Sequence, residues 1–171
     1  RERERAEAGY AENLVLLADI ISITTPLKQA QGAAIDPVAG LPTVSFDVAT
    51  GPKITVPTGT GAPTTLISQL LIEGTGAVVK VGDTLMVHYT GVLWKDGSVF
   101  DSSWTRGQPF SFAVGSGKVI KAWDQGFVGK KVGSRVLLVV PPADGYGAAG
   151  SPPKIAGTDT LVFVVDILVV R

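Results

Sequence analysis

Apolar positions in the second half of this chain come in short runs cut by glycine and proline, the pattern of strands joined by turns. Residues 66–73 form one such run and end at Gly74-Thr75-Gly76, and residues 83–94 form a longer one that turns at Lys95-Asp96-Gly97. Shorter strands are expected over 99–101 and 109–114. A strongly β segment over 134–140 stops at Pro141-Pro142, and a last strand covers 161–170. One stretch breaks this rhythm. Gly117 to Gly126 lies between two glycine stops and sets Val119, Ile120 and Trp123 on one helical face. About two turns of helix are not stable alone in water, so this helix must lie against the strands that surround it. Hairpin-like spacing around one short helix predicts an antiparallel α+β domain over 65–171, with the sheet wrapped around the helix.

The first third reads differently. An Arg-Glu alternation from Arg1 to Arg5 opens the chain and fits a solvated end. Residues 14–23 then form an apolar run of strand length, bounded by Thr24-Thr25-Pro26. This run aligns without gaps on the last strand: Leu14, Val15, Asp19 and Ile20 recur as Leu161, Val162, Asp166 and Ile167. Residues 1–23 are therefore expected to be the closing strand of a preceding copy of the C-terminal domain, in a fragment whose start lies upstream. Residues 24–64 are rich in Pro, Gly and Thr and read as a linker, with one small hairpin in which 43–46 faces 53–56.

Composition then narrows the chemistry. The 171 residues are 45% hydrophobic and 18% charged, enough for a sizeable core, and 15 basic residues balance 15 acidic ones. A net charge of zero leaves no basic field for nucleic acid or an anionic membrane, and no run of 18 apolar residues marks a transmembrane segment. With no cysteine and a single histidine, a Cys/His dyad and a multi-His metal centre are both excluded. His88 should face away from Tyr89 by strand alternation and reads as a plain outward residue. The glycine-rich loop at 145–150 lacks the lysine-serine ending of a phosphate loop.

What remains is aromatic. Ten of the twelve aromatic residues fall in 65–171, with one carboxylate, Asp101, beside Phe100. Trp123 alone would read as core. The wording around it is more specific. Val87-His88-Tyr89-Thr90-Gly91, Phe100-Asp101-Ser102-Ser103, Pro109-Phe110-Ser111-Phe112, Val119-Ile120-Lys121-Ala122-Trp123, Tyr146-Gly147 and Thr160-Leu161-Val162-Phe163 resemble, in order and spacing, the FKBP-type peptidyl-prolyl cis-trans isomerases. The resemblance implies that family's half-barrel, an antiparallel sheet of five or six strands curled around one short helix. It also implies a pocket with Trp123 as floor, Tyr89, Phe100, Phe110 and Phe163 as walls, and Val119, Ile120 and Ile155 at the rim. Tyr146 would offer a hydroxyl and Ile120 a backbone N–H to substrate carbonyls. Asp101 would lie within reach of the Tyr89 hydroxyl, either facing the rotated carbonyl electrostatically or simply paired with Tyr89.

The implied reaction is rotation about an Xaa-Pro amide, which makes and breaks no bond to solvent and so calls for no nucleophile, metal or cofactor. Catalytic roles fall to Asp101, Tyr146, Trp123 and Phe100. Expected partners are proline-containing polypeptides in protein folding and macrolide immunosuppressant-type inhibitors. Departures from the family pattern include Lys118, where many relatives are acidic, Ala122, where many have Gly, and Lys154 beside Ile155. They bear on specificity. The rival reading is a peptide-binding or chaperone module that uses the same pocket without turnover. A third is an interaction scaffold built on the tandem arrangement. Similarity to exported tandem members and the lack of Cys point to an extracytoplasmic location.

Overall fold

The computed structural model describes residues 25–171, so the expected remnant strand at 14–23 lies outside the described residues. In chain order come β1 (Gly32–Ala34), β2 (Thr43–Asp47), β3 (Gly51–Thr55), β4 (Ile67–Gly74), β5 (Thr84–Leu93) and β6 (Val99–Ser102). A one-turn helix α1 (Ser103–Arg106), β7 (Phe110–Ala113), α2 (Lys121–Gly126), β8 (Arg135–Val140) and β9 (Leu161–Val170) complete the chain. Two 3-10 turns, Pro142–Asp144 and Gly147–Ala149, shape the loop between β8 and β9.

The main sheet is antiparallel with seven strands in the order β1-β4-β8-β9-β5-β6, and β7 also pairs with β5. Six of these strands come from 65–171, as expected for the half-barrel. Long β5 serves two short partners: Thr84 to Val87 face β7, and Thr90 to Val92 face β6. β-Branched residues dominate β8 and β9, where stiff side chains suit a pleated surface.

Alternation sorts the sheet into two faces. Leu85, Val87 and Tyr89 of β5, Val136 and Leu138 of β8, and Phe163 and Val165 of β9 point inward to a core that also holds Ala122, Trp123 and Phe127. Ser68 Oγ donates to the Gly126 carbonyl at 2.8 Å and anchors the end of α2 on this face. The opposite face is covered as well. Val92, Trp94, Leu137, Val139, Val162 and Val164 form a second cluster with Ile54, against which Leu41, Val44, Val56 and Ala62 pack. Residues 25–63, whose composition reads as a spacer, thus supply strands β1 to β3 and lie across the outer surface. The hairpin pairs Thr43 with Thr55 and Asp47 with Gly51. A sheet buried on both faces accounts for the almost wholly apolar reading of β8 and β9, broken only by Arg135 and Asp166, which a half-solvated antiparallel sheet does not need.

Two local expectations are corrected. The helix begins at Lys121 rather than just after Gly117, because Gly117 takes φ 68° and Ile120 is extended at ψ 148°. The Asp124 carboxylate accepts the Gly115 and Gly117 N–H groups, each at 2.9 Å, and folds that loop back over the helix. Nor is α2 alone: α1 adds a turn closed by Gly107 in the left-handed region.

Candidate active site

Strand β5 sets the inner wall of the site. Tyr89 points inward from its middle, and its ring meets the edge of Trp123 at a centroid distance of 5.1 Å and an angle of 90°. Phe163 reaches Trp123 from β9 at 5.4 Å and Phe110 from β7 at 5.9 Å, both edge to face. Phe100 from β6 stands edge-on to Phe163 at 5.4 Å. Trp123 is 4% exposed, so its indole is the floor of a slot whose walls are ring edges and faces. Such pairs add to area burial and fix ring orientation. The Trp123 Nε1 is buried and finds no acceptor among the described residues.

A cavity of about 540 Å³ opens above this floor, within the size range of small-ligand sites. Nine of the ten residues named from the sequence line it: Tyr89, Phe100, Asp101, Phe110, Val119, Ile120, Trp123, Tyr146 and Phe163. The tenth does not. Ile155 is 5% exposed and belongs to the core behind the loop. Reciprocal hydrogen bonds between Ser151 and Ile155 at 2.8 and 3.1 Å close a turn that tucks it inward. The extended run before α2 brings Val119 and Ile120 to the mouth, and the 3-10 turns bring Tyr146, which is 42% exposed. Lys121 Nζ meets Asp144 at 2.8 Å and ties α2 to that loop. Among the described residues, no hydrogen bond is made by the Ile120 N–H or the Tyr146 hydroxyl.

Asp101 sits at one side of the slot with both oxygens engaged. The Tyr89 hydroxyl donates to Oδ2, and Arg106 donates from Nη1 to Oδ1 and from Nη2 to the Tyr89 oxygen, the last at 2.9 Å. Partial burial works against ionisation of Asp101, but these bonds outweigh it and hold the carboxyl below its ordinary value. The Tyr89 phenol is pushed up to about 12, first by burial and then by its bond to the carboxylate. Burial also raises Tyr146, with the Asp101 charge adding to it. At neutral pH the site therefore presents one carboxylate and two protonated phenols.

Sequence reading missed Arg106, which reaches Asp101 only because α1 turns the chain back after β6. It also left Lys118, Lys121, Gly117 and Gly145 out of the lining. Lys154, expected as a rim charge, donates to the Phe100 carbonyl at 3.0 Å. His88 does point away from Tyr89, but it is not a plain outward residue. Its ring lies under Trp104 at 4.3 Å and 25°.

A family model described as FKBP-type peptidyl-prolyl cis-trans isomerase matches residues 76–168. The chain belongs to that family. Its FKBP-type sequence is 54% identical over 90 residues to "Peptidyl-prolyl cis-trans isomerase FKBP15-2" of Arabidopsis thaliana, covering 53% of this chain and 55% of the relative. It is 43% identical over 120 residues to "FK506-binding protein" of Streptomyces anulatus, covering 70% and 96%. To "Peptidyl-prolyl cis-trans isomerase FKBP2" of Mus musculus it is 53% identical over 89 residues, covering 52% and 63%. The FKBP-type match thus spans little more than half of the plant relative and most of the Streptomyces one. Among the described residues, no helix is long and apolar enough to cross a membrane, and no three His, Cys, Asp or Glu cluster as metal ligands.

Proposed function

We propose that this protein accelerates cis-trans rotation about Xaa-Pro bonds in proline-containing polypeptides and takes FK506-type macrolides in the same slot. One observation carries the reading: a ring-walled slot over Trp123, with two unengaged donors at its mouth and a charged carboxylate at its side. The planar amide is held by resonance, with a barrier of about 18–20 kcal/mol. A dry aromatic wall solvates the planar amide dipole poorly and the twisted form less poorly, which lowers the barrier by differential binding. The proline ring lies on the indole. The Ile120 N–H and Tyr146 O–H hold the flanking carbonyls while the bond turns. Asp101, kept ionised by Arg106 and Tyr89, faces the rotating carbonyl carbon and acts by its field, since no proton moves.

Exchange NMR on an Ala-Leu-Pro-Phe peptide tests this in the full chain. Tyr146→Phe removes one hydrogen bond worth about 1 kcal/mol and should slow catalysed exchange roughly fivefold. Asp101→Val should also lower it. Exchange no faster than in the peptide alone, with folded protein, would leave a binding module without turnover.

A further inference from the structure

The polar row on the outer face of the sheet leads back to the active site. Arg135, Asp166 and His88 stand side by side on β8, β9 and β5 in cross-strand register. Arg135 grips Asp166 through Nε at 2.7 Å and Nη2 at 2.8 Å, and Asp166 accepts the Ala30 N–H at 2.8 Å. Phe46 of β2 lies over the Arg135 guanidinium, 3.8 Å from ring centroid to Cζ. Phe46 also meets the edge of Trp104 at 5.4 Å and 73°. Trp104 in turn stacks on His88. The first residue of β3 also presses on Trp104. Gly51 has φ 81°, and a Cβ there would fall 2.4 Å from Trp104 Cγ. The Trp104 ring is thus clamped between a strand of the sheet and a hairpin some fifty residues away in sequence.

Trp104 stands in the middle of α1, two residues before Arg106 and three after Asp101. Beside it, Ser103 is fully buried and accepts the Tyr89 N–H at 2.8 Å, with His88 Nδ1 also 2.8 Å from its Oγ. The α1 turn is therefore fixed to β5 at Ser103 and held down from outside at Trp104. The Trp104 Nε1 finds no acceptor among the described residues, so packing and not hydrogen bonding holds the ring.

We propose that Trp104 is a positioning residue. The hairpin of β2 and β3, by clamping the Trp104 ring on His88, fixes the α1 turn from which Arg106 holds Asp101 and Tyr89. Phe46 and Gly51 of that hairpin thereby act on the slot without touching substrate. The inference rests on reading the slot as an isomerase site.

The test uses the full chain with Trp104→Ala, Trp104→Phe, Phe46→Ala and, as a hairpin control away from the clamp, Val44→Ala. Two quantities are measured: kcat/KM on an Xaa-Pro peptide, and the titration midpoint of the Asp101 carboxyl by carbon-13 NMR. Displacements of about an ångström cost up to about a hundredfold, so a partly released turn in Trp104→Ala should lose roughly tenfold in kcat/KM. Its Asp101 midpoint should rise, because Arg106 no longer donates squarely. Phe46→Ala should move both in the same direction by less, and Trp104→Phe should recover most of both. Val44→Ala should lower Tm and move neither. An unmoved midpoint and kcat/KM within about twofold of the parent in folded Trp104→Ala and Phe46→Ala would overturn the proposal. If Trp104→Ala does not fold, Phe46→Ala decides. Should the parent show no catalysis, the isomerase reading fails while the Asp101 midpoint still reports whether the clamp acts.

Discussion

Gly91 offers a sharp test of how the slot is built. It lies on the inner face of β5, two residues beyond Tyr89, opposite Phe163 of β9 and Asp101 of β6. A Cβ there would lie 2.5 Å from Cζ and 2.8 Å from Cε2 of Phe100, and 3.0 Å from Cε1 of Phe163. Carbon atoms prefer separations of about 3.5–4.0 Å, so Gly91→Ala requires the Phe100 ring to retreat by about 1 Å. Phe163 blocks one direction at 5.4 Å, and Phe100 lines the cavity, which is the open side toward which its ring can retreat. Overpacking costs about 1–3 kcal/mol. Restriction of the unfolded chain returns about 0.4–1 kcal/mol of that. The net loss should lower Tm by only a few degrees. A wall displaced by about 1 Å into the slot should cost far more in catalysis, between about ten- and a hundredfold in kcat/KM. A protease-free isomerase assay and a thermal melt on the same preparation measure the two. Adding Phe100→Leu should relieve the clash, so that the double variant melts higher than the sum of the single effects. A Gly91→Ala protein that melts lower yet keeps kcat/KM within about twofold would mean that the ring moved away from the slot, against this expectation.

Two further outcomes follow from the outer face. Asp166→Asn leaves the Arg135 guanidinium, 7% exposed, without a countercharge. That should cost about 3–5 kcal/mol and lower the calorimetric Tm by roughly 10 °C, whereas a change under about 2 °C would mean the pair is neutral for stability. His88 has its pKa pushed below the usual 6.5 by burial under Trp104, against a smaller opposing pull from Asp166. As pH falls through 6.5 the unfolded imidazole protonates before the folded one, so stability should drop between neutrality and the folded value. Tm should therefore fall from about pH 7.5 to about pH 5, a window above the carboxylate range, and His88→Gln should flatten that slope. An equal slope in the variant would remove His88 as its source.

The strands of 65–171 were legible because their apolar runs are long and their turns carry Gly, Pro and Asp. The aromatic site was legible for a different reason: its side chains sit in short motifs whose order survives reading along the chain. The covering layer was not. Leu41, Val44, Ile54 and Val56 are single apolar residues among Thr, Pro and Gly, and no window of sequence holds enough of them to predict burial. Their partners lie some forty to a hundred and twenty residues away. A clue was nonetheless present in β8 and β9, whose six- and nine-residue buried runs need apolar cover on both sides. Arg106 was invisible for a similar reason. The α1 turn directly after β6 sets its guanidinium on Asp101, and no motif in the sequence marks that one-turn helix. The late start of α2 depends on one side chain, Asp124, accepting two backbone groups upstream of it.

The two-sided burial of the sheet bears on how this protein can be inherited or divided. The Leu27 N–H donates to the Leu168 carbonyl at 3.1 Å, and from there the chain runs across strands that the family match counts as the domain itself. A recombination or cloning boundary drawn at residue 65 would bare Val92, Trp94, Leu137, Val139, Val162 and Val164 together. Such a patch invites self-association. Gene shuffling that carried the slot-lining segment without its preamble would deliver a sticky protein, so a transferable unit has to include the covering residues from Leu27 onward, well upstream of those that line the slot.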